Sequence, residues 1–345
     1  MAPSYLAPGL TLSRGTANNP AHVRELQRDL RALGYLRNTI DGNFGQGTEL
    51  AVRALQVDLL VNRGTGRDGN APVDMTSFNN DGQGSKLVAS VTGALDQNLA
   101  RCIAALLADT RMAKLPFADD PKAENARALT EIASSISRTA PTPFIAAMVV
   151  QESSGQHYHV PRAGDDDRYV TVGVDRNDGS NPDRITSRGY GIGQYTLFHH
   201  PPSDQDVADF IVDPIRNVQQ AFAELRDKFE NFVVGPVRRA SDRDVEHPLL
   251  PMRFCKYQPT DARYMNDCKA CATAARKVNI ANGTPVYQGA TISYQPSQYY
   301  PSAVYTNVPD RSDFRCDWPY AARRYNGSGI NSFHYQTRIL LNLLK

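Results

Sequence analysis

Apolar residues recur at helical spacing in three stretches between positions 23 and 107. In the run 23–33 an apolar side chain falls at every third or fourth position, between Asn19-Pro20 and Gly34, which are start and stop signals for a helix. The runs 51–59 and 99–107 repeat this spacing, and Thr48 is placed to cap the second helix. The pattern predicts a small three-helix domain that follows an extended lead-in over residues 1–14 and contains a polar, glycine-rich insertion over residues 62–85.

A second pair of helices is predicted in the middle of the chain. One begins at Pro121, with its apolar face at Leu129, Ile132, Ala133 and Ile136. The next follows Pro141-Thr142-Pro143, repeats apolar residues over 144–151, and ends at Ser153-Ser154-Gly155. It delivers Glu152 to the rim of an apolar helix, where lost solvation is expected to raise the pKa of the carboxyl group. A carboxyl that stays protonated near neutral pH can act as a general acid.

The N-terminal motifs resemble a known family. The runs V-x-x-L-Q-x-x-L-x-x-L-G-Y over 23–35, I-D-G-x-F-G-x-x-T over 40–48 and A-V-x-x-L-Q over 51–56 are similar to the three-helix peptidoglycan-binding domain. The resemblance implies that peptidoglycan is a partner. The candidate ligand contacts lie beside the Asp-Gly turn, at Asp41, Asn43, Phe44 and Gln46, although the same residues could serve only to form the fold.

Four further pieces, in order, resemble the soluble lytic transglycosylase and goose-type lysozyme superfamily. They are Glu152-Ser153, Gly191-Ile192-Gly193-Gln194, Asn217-Val218 and the run A-A-R-R-Y-N-G-S-G over 321–329. The resemblance covers roughly residues 125–234 and 316–345. It implies that Glu152 is the catalytic acid and that Gln194 and Tyr325 are its partners. It also implies that Gly191 borders the substrate. Asn326 could fix the local backbone or touch the substrate, and Ser153 could bond the substrate or stabilise the turn, of which the structural role is favoured.

The resemblance implies cleavage of the β-1,4 bond between N-acetylmuramic acid and N-acetylglucosamine, with two possible outcomes. A lytic transglycosylase uses one glutamate as acid and then as base, and closes a 1,6-anhydro ring. A hydrolytic muramidase needs a second carboxylate for water, and the candidates in the polar loop 155–189 are Asp165, Asp175 and Asp183. That loop could instead be only solvated. Calcium binding at 175–183 is disfavoured because Gly179 arrives one residue early for an EF-hand. A non-catalytic wall-binding protein is the competing class.

Together these features predict a mainly α protein in two parts. Residues 1–108 form the peptidoglycan-binding domain, 109–121 a proline-containing linker, and 122–345 a lysozyme-like, α-rich catalytic domain. Within the latter, residues 235–315 form a long irregular insertion with a tyrosine-rich stretch over 294–305. Those tyrosines could stack on sugars or pack the core of the insertion itself.

The net charge, the N-terminal residues and the cysteines indicate which partners and which cellular location to expect. A net charge of +2 does not indicate a basic surface for binding nucleic acid. No apolar run is long enough to cross a membrane. We expect neither a cofactor nor a metal. The first residues lack a secretory signal pattern, so we expect synthesis in the cytoplasm and action on the cell wall, as a phage endolysin or as an antibacterial effector with an immunity protein. Cys102 is expected to be a small buried residue. The four remaining cysteines are expected to form disulfides or stay reduced rather than bind zinc: Cys255, Cys268, Cys271 and Cys316.

Overall fold

The computed structural model divides into two compact units. Residues 1–128 and 156–217 form the first unit, and residues 129–155 and 218–345 form the second. The structure describes residues 3–64, 71–135, 142–197, 202–228, 278–281, 284–287, 290–293, 304–306, 317–325, 335–336, 338–339 and 342. The protein is mainly helical, as predicted. None of the helices in these ranges is long and apolar enough to span a bilayer.

Three helices form the N-terminal part of the first unit. They are α1 (Pro20–Ala32), α2 (Gln46–Val61) and α3 (Gln97–Ala108), with short 3₁₀ turns at Ser4–Leu6 and Met75–Phe78. The Asn19 side chain caps α1, and the Asp96 side chain caps α3. The predicted cap at Thr48 is wrong, because α2 already begins after Gly45 and the Thr48 hydroxyl accepts a hydrogen bond from Gln27 instead.

Two buried glutamines each hold a glycine turn in this three-helix part. The Gln27 side chain donates to Asp41 Oδ1 at 3.0 Å and accepts from the Gly42 amide at 2.8 Å. Gln56 repeats the arrangement one helix later, since its Oε1 accepts from the Gly93 amide at 2.9 Å. Gly42 and Gly93 have φ values of 78° and 76°, which a side chain would strain. The L-Q pair in each helix is therefore explained by turn anchoring.

The segments on either side of these helices are packed, which differs from the sequence prediction. Tyr5 and Leu12 are buried, and Leu12 pairs through its backbone with Leu95, so the expected extended lead-in belongs to the core. In the predicted linker 109–121, the side chains of Met112 and Leu115 are buried, and the Leu115 amide donates to the Ala32 carbonyl at 2.8 Å. The chain therefore continues from α3 along α1 without a free spacer.

A small antiparallel sheet completes the first unit. Its strands β1 (Val172–Asp175), β2 (Ser187–Tyr190) and β3 (Tyr195–Leu197) lie in that order, with Val172 opposite Tyr190 and Tyr190 opposite Tyr195. A helical turn at Asp204–Asp206 continues as a π-helical turn at Val207–Ile211. The sheet, these turns and the segment before α4 share a buried apolar cluster: Leu115, Ala118, Tyr158, Val170, Val172, Tyr190, Leu197 and Ile211.

The second unit contains the helix that ends at Glu152. Helix α4 (Pro121–Ser135) passes from the first unit into the second and is followed by α5 (Thr142–Ser153), α6 (Pro214–Lys228) and α7 (Trp318–Tyr325). The Trp318 ring packs against Phe144 and Phe222, with ring centroids 5.9 and 6.2 Å away. On the apolar face predicted for α4, Ile132 is buried as expected, but Leu129 is 42% exposed, and the neighbouring Ala128 is buried in its place.

The predicted insertion 235–315 was expected to be irregular, and this expectation is wrong for the described residues within it that form strands. Four strands form an antiparallel meander, β4 (Val278–Ala281), β5 (Thr284–Tyr287), β6 (Ala290–Ser293) and β7 (Val304–Thr306). Most of the tyrosine-rich stretch lies outside the described residues. So do Asn326 and the four C-terminal cysteines: Cys255, Cys268, Cys271 and Cys316. Cys102 is buried in α3, as predicted.

Candidate functional site

Glu152 lies in the last turn of α5, whose inner face is buried through Phe144, Ala147 and Met148. Ser154 follows the helix with a φ of 56°, which is uncommon for a residue with a side chain. Its amide donates to the Val150 carbonyl at 3.1 Å. The Ser153 hydroxyl donates to the Val149 carbonyl at 3.1 Å, which gives Ser153 a role in the helix end. The backbone thus turns sharply directly after Glu152.

A buried tyrosine holds the Glu152 carboxyl group. The hydroxyl of Tyr335 donates a hydrogen bond to Glu152 Oε1. Burial first, and then the charge of Glu152, raise the pKa of Tyr335 well above its usual value of 10, so the hydroxyl stays protonated and acts as a fixed donor. Tyr325, the tyrosine predicted to serve Glu152, packs against Tyr335 with ring centroids 6.3 Å apart. Glu152 and Tyr325 therefore share one cluster, and Tyr335 connects them.

Gln194, the third predicted catalytic residue, belongs to the first unit, where its side chain folds back on its own turn. Its Nε2 donates to the Gly191 carbonyl at 2.8 Å, and its φ is 50°. Its Oε1 lies over two facing glycines of the sheet, since a Cβ at Gly173 or Gly189 would lie 2.4 or 3.0 Å from that atom. Two glycines thus leave room for this amide, and the strained backbone of Gln194 is the kind found at functional sites.

The turn before Gln194 is fixed by two buried polar side chains. Asn217 Oδ1 accepts from the Gly193 amide at 2.8 Å, and its Nδ2 donates to the Tyr190 carbonyl at 2.8 Å. His157 Nδ1 accepts from the Ile192 amide at 3.2 Å. A Cβ on Gly191 would lie 2.6 Å from the His157 ring, so only glycine fits there. Gly191 was predicted to touch substrate, and the structure gives it this packing role.

His157 is a residue that sequence reasoning missed. Its Nε2 donates to the Ile211 carbonyl at 2.8 Å while its Nδ1 accepts, so both ring nitrogens are used by the neutral form. Burial lowers the pKa of His157 to about 4. At physiological pH the His157 ring is therefore neutral and supports the turn before Gln194 through these two hydrogen bonds.

The acidic loop predicted to carry a second carboxylate is bound to α1 and its neighbourhood. Asp165 accepts from the Ile40 amide at 3.1 Å and from His159 Nε2 at 2.7 Å. Asp167 is buried and forms an ion pair with Arg31 at 2.5 Å. Burial raises the pKa of Asp167 and lowers that of Arg31, and each charge opposes the shift of the other.

The other two candidate carboxylates also have structural partners. Asp183 receives both Nε and Nη2 of Arg53, each at 2.7 Å, and this bidentate bond lowers the pKa of Asp183. Asp175 accepts from the Ser187 hydroxyl at 2.9 Å across the sheet. Hydrogen bonds and ion pairs within the first unit therefore explain the presence of Asp165, Asp175 and Asp183.

The candidate wall contacts beside the Asp-Gly turn divide into packing and turn residues. The Phe44 side chain is buried, so it contributes to the core. Asp41 Oδ1 accepts from the Asn43 amide at 2.9 Å and from Gln27, which closes the turn. Asp41, Asn43 and Gln46 are all exposed, and Gln46 is the first residue of α2.

Comparison with known families identifies this part of the chain. Residues 19–59 match the family model described as a putative peptidoglycan binding domain. The match spans α1, the Asp-Gly turn and most of α2, and it confirms the predicted N-terminal peptidoglycan-binding domain. It supports peptidoglycan as a partner and association with the cell wall. No curated protein and no solved structure matches the chain. The lysozyme-like part stays a prediction.

Proposed function

We propose that this protein is a peptidoglycan-degrading glycosidase that cleaves between N-acetylmuramic acid and N-acetylglucosamine, with Glu152 as its catalytic acid. The observation that carries the proposal is the hydrogen bond from the buried Tyr335 hydroxyl to Glu152 Oε1, at the end of a buried helix. A carboxyl group held in one orientation by a neutral donor suits directed proton transfer. The match to a peptidoglycan-binding domain supports peptidoglycan as the substrate class.

In the proposed reaction Glu152 gives its proton to the glycosidic oxygen as the bond to the muramic acid breaks. The carboxylate that results keeps the Tyr335 hydrogen bond, which is stronger to a charged acceptor. Glu152 then removes the proton of the C6 hydroxyl, and that oxygen closes the 1,6-anhydro ring. The sugar product needs no water and no second carboxylate.

The hydrogen bonds and ion pairs of the three candidate aspartates favour this one-carboxylate route over hydrolysis. A hydrolytic muramidase needs a second carboxylate to position water. Asp165, Asp175 and Asp183 each have structural partners that account for them. The alternative function, wall binding without cleavage, is favoured by one observation, since the family match is confined to the binding domain. Endolysin and effector remain alternative settings, and an immunity partner is expected only for an effector.

The test is mass spectrometry of the muropeptides released from purified peptidoglycan by the wild type and by Glu152→Gln. We expect 1,6-anhydro products from the wild type and none from the variant, which keeps the shape of the side chain but cannot donate the proton. Glu131→Gln, on α4 of the same protein, is the matched control and should retain cleavage. Reducing-end muramic acid would establish hydrolysis instead, and no products from either protein would favour the wall-binding function. Cleavage by a folded Glu152→Gln protein would exclude Glu152 as the acid.

A further inference from the structure

Phe117 is an exposed aromatic residue in a segment whose other apolar side chains are buried. Met112, Leu115 and Ala118 are buried, yet the Phe117 side chain is 60% exposed. Exposing an aromatic ring forgoes roughly 1.5–3 kcal/mol of burial free energy. Among the large apolar side chains that the structure describes as exposed, Phe117 is the one aromatic. Its exposure is therefore a feature that packing does not explain.

The backbone holds Phe117 on a short, rigid ribbon. Phe117 pairs with Tyr169 in an antiparallel bridge. On either side, the Ala118 amide donates to the Arg168 carbonyl at 3.1 Å, and the Val170 amide donates to the Pro116 carbonyl at 3.0 Å. The two rings lie with centroids 5.6 Å apart and planes tilted by 59°. Tyr169 packs on the apolar core beneath, so the Phe117 ring has a fixed support.

We propose that Phe117, supported by Tyr169, is a glycan-binding platform on which one N-acetyl amino sugar of the peptidoglycan strand stacks. An aromatic face carries negative partial charge, and it attracts the C–H-rich face of a pyranose ring. Polar residues follow closely along the chain, since Arg168 directly precedes Tyr169 and Asp119 comes two residues after Phe117. Both are exposed, and Arg168 Nη1 donates to the Asp119 carbonyl at 3.1 Å. Such groups can bond sugar hydroxyl and acetamido groups.

Size and location favour a glycan over a protein partner. A single exposed ring matches one sugar, whereas a specific protein interface buries about 1,200–2,000 Å² in total. The platform belongs to the same compact unit as the peptidoglycan-binding domain. It is joined to α1 by the bond from the Leu115 amide to the Ala32 carbonyl. The inference rests on the wall association and extends the proposed function by adding a subsite outside residues 19–59.

The experiment measures binding in the Glu152→Gln background, so that cleavage does not consume the ligand. The probe is the soluble β-1,4 tetramer of N-acetylglucosamine, titrated by calorimetry, with pelleting on purified sacculi as the second readout. Phe117→Ala should weaken tetramer binding about tenfold, which corresponds to about 1.4 kcal/mol. Phe117→Trp should retain the affinity. Val61→Ala, which changes an exposed apolar residue of the same unit, is the control and should bind like its parent.

Unchanged tetramer affinity in a folded Phe117→Ala protein would overturn the platform. Equal losses in Phe117→Ala and Phe117→Trp would overturn it as well, because stacking survives in the second variant. These outcomes are separate from the fate of the proposed function. If Phe117→Ala binds normally while Glu152→Gln abolishes cleavage, only the platform fails. If Glu152→Gln still cleaves, the catalytic assignment fails, and sacculus pelleting at 4 °C with short incubation still tests the platform.

Discussion

Replacing Asp167 by asparagine tests whether the acidic loop is a structural part of the first unit. Asp167 and Arg31 form an ion pair whose side chains are 0% and 3% exposed. The preceding residue, Asp166, pairs with Arg28, but those side chains are 38% and 48% exposed. Two consecutive aspartates thus make the same kind of bond to the same helix in very different surroundings. Asp166→Asn is therefore the matched control.

The expected effects differ because burial changes the consequence of losing a charge. Asparagine keeps the shape of Asp167 and the bond that Oδ1 accepts from the Tyr169 amide at 3.0 Å. It leaves the Arg31 charge buried without its carboxylate, which costs about 3–5 kcal/mol in the free energy of unfolding. An exposed pair is worth at most about 1 kcal/mol. With a urea m-value of about 2 kcal/mol/M, the midpoint should fall by about 2 M for Asp167→Asn and by less than about 0.5 M for Asp166→Asn.

The assay must report on the first unit. The single tryptophan, Trp318, lies in the second unit, so its fluorescence reports unfolding there. Hydrogen exchange of α1 amides in rising urea, read by mass spectrometry, follows the first unit directly. Equal midpoints for the two variants would refute the reasoning, because they would mean that the Arg31–Asp167 pair carries no more stability than a surface contact.

Two further predictions concern Glu152 and the support of the Gln194 turn. Tyr335→Phe should lower the rate of muropeptide release about 10- to 100-fold, because a hydrogen bond to a charged group contributes about 1.5–3 kcal/mol; a rate like that of the wild type would remove Tyr335 from the site. The pKa of His157 in the folded protein is about 4, below its usual value of 6.5. Between these two pH values the unfolded chain binds a proton at His157 that the folded chain does not. The free energy of unfolding should therefore fall by up to about 3 kcal/mol as the pH drops from 6.5 to 4. His157→Asn should flatten this pH dependence of stability, measured by urea titration. Asp29, whose pKa is raised by burial to about 6, titrates in both proteins, so the difference between them reports His157 alone. The same pH dependence in both proteins would contradict the role given to His157.

Local patterns predicted the helices well, because burial on one face imposes a spacing that the sequence records directly. Leu26 and Leu30 on α1, and Leu55 and Leu59 on α2, are buried as that spacing requires. The Gly34 stop and the helix that begins at Pro121 were predicted for the same reason.

Contacts between residues that are far apart in the sequence produce no such local pattern. Arg53 and Asp183 are 130 residues apart and meet only in the fold, so the aspartate loop appeared to be free for catalysis. Tyr335 lies ten residues beyond Tyr325, outside any recognisable motif, and only the structure brings its hydroxyl to Glu152. Glycines gave an intermediate case. Gly191 was expected beside the substrate, and it does allow a close approach, but the approaching group is the His157 ring.

Residues 109–121, between α3 and α4, are packed against the first unit, and this affects how a bound cell-wall glycan is oriented relative to the rest of that unit. A flexible spacer between 109 and 121 would raise local concentration while leaving orientation free. Instead, buried Leu115 and its bond to Ala32, together with the ion pairs of Arg31 and Arg53, join the peptidoglycan-binding helices to the loop and strands before Gln194. A glycan bound to the domain matched at residues 19–59 would therefore have one direction relative to the Gln194 turn. Lengthening 109–121 with a Gly-Ser insert should therefore destabilise the first unit rather than merely extend its reach.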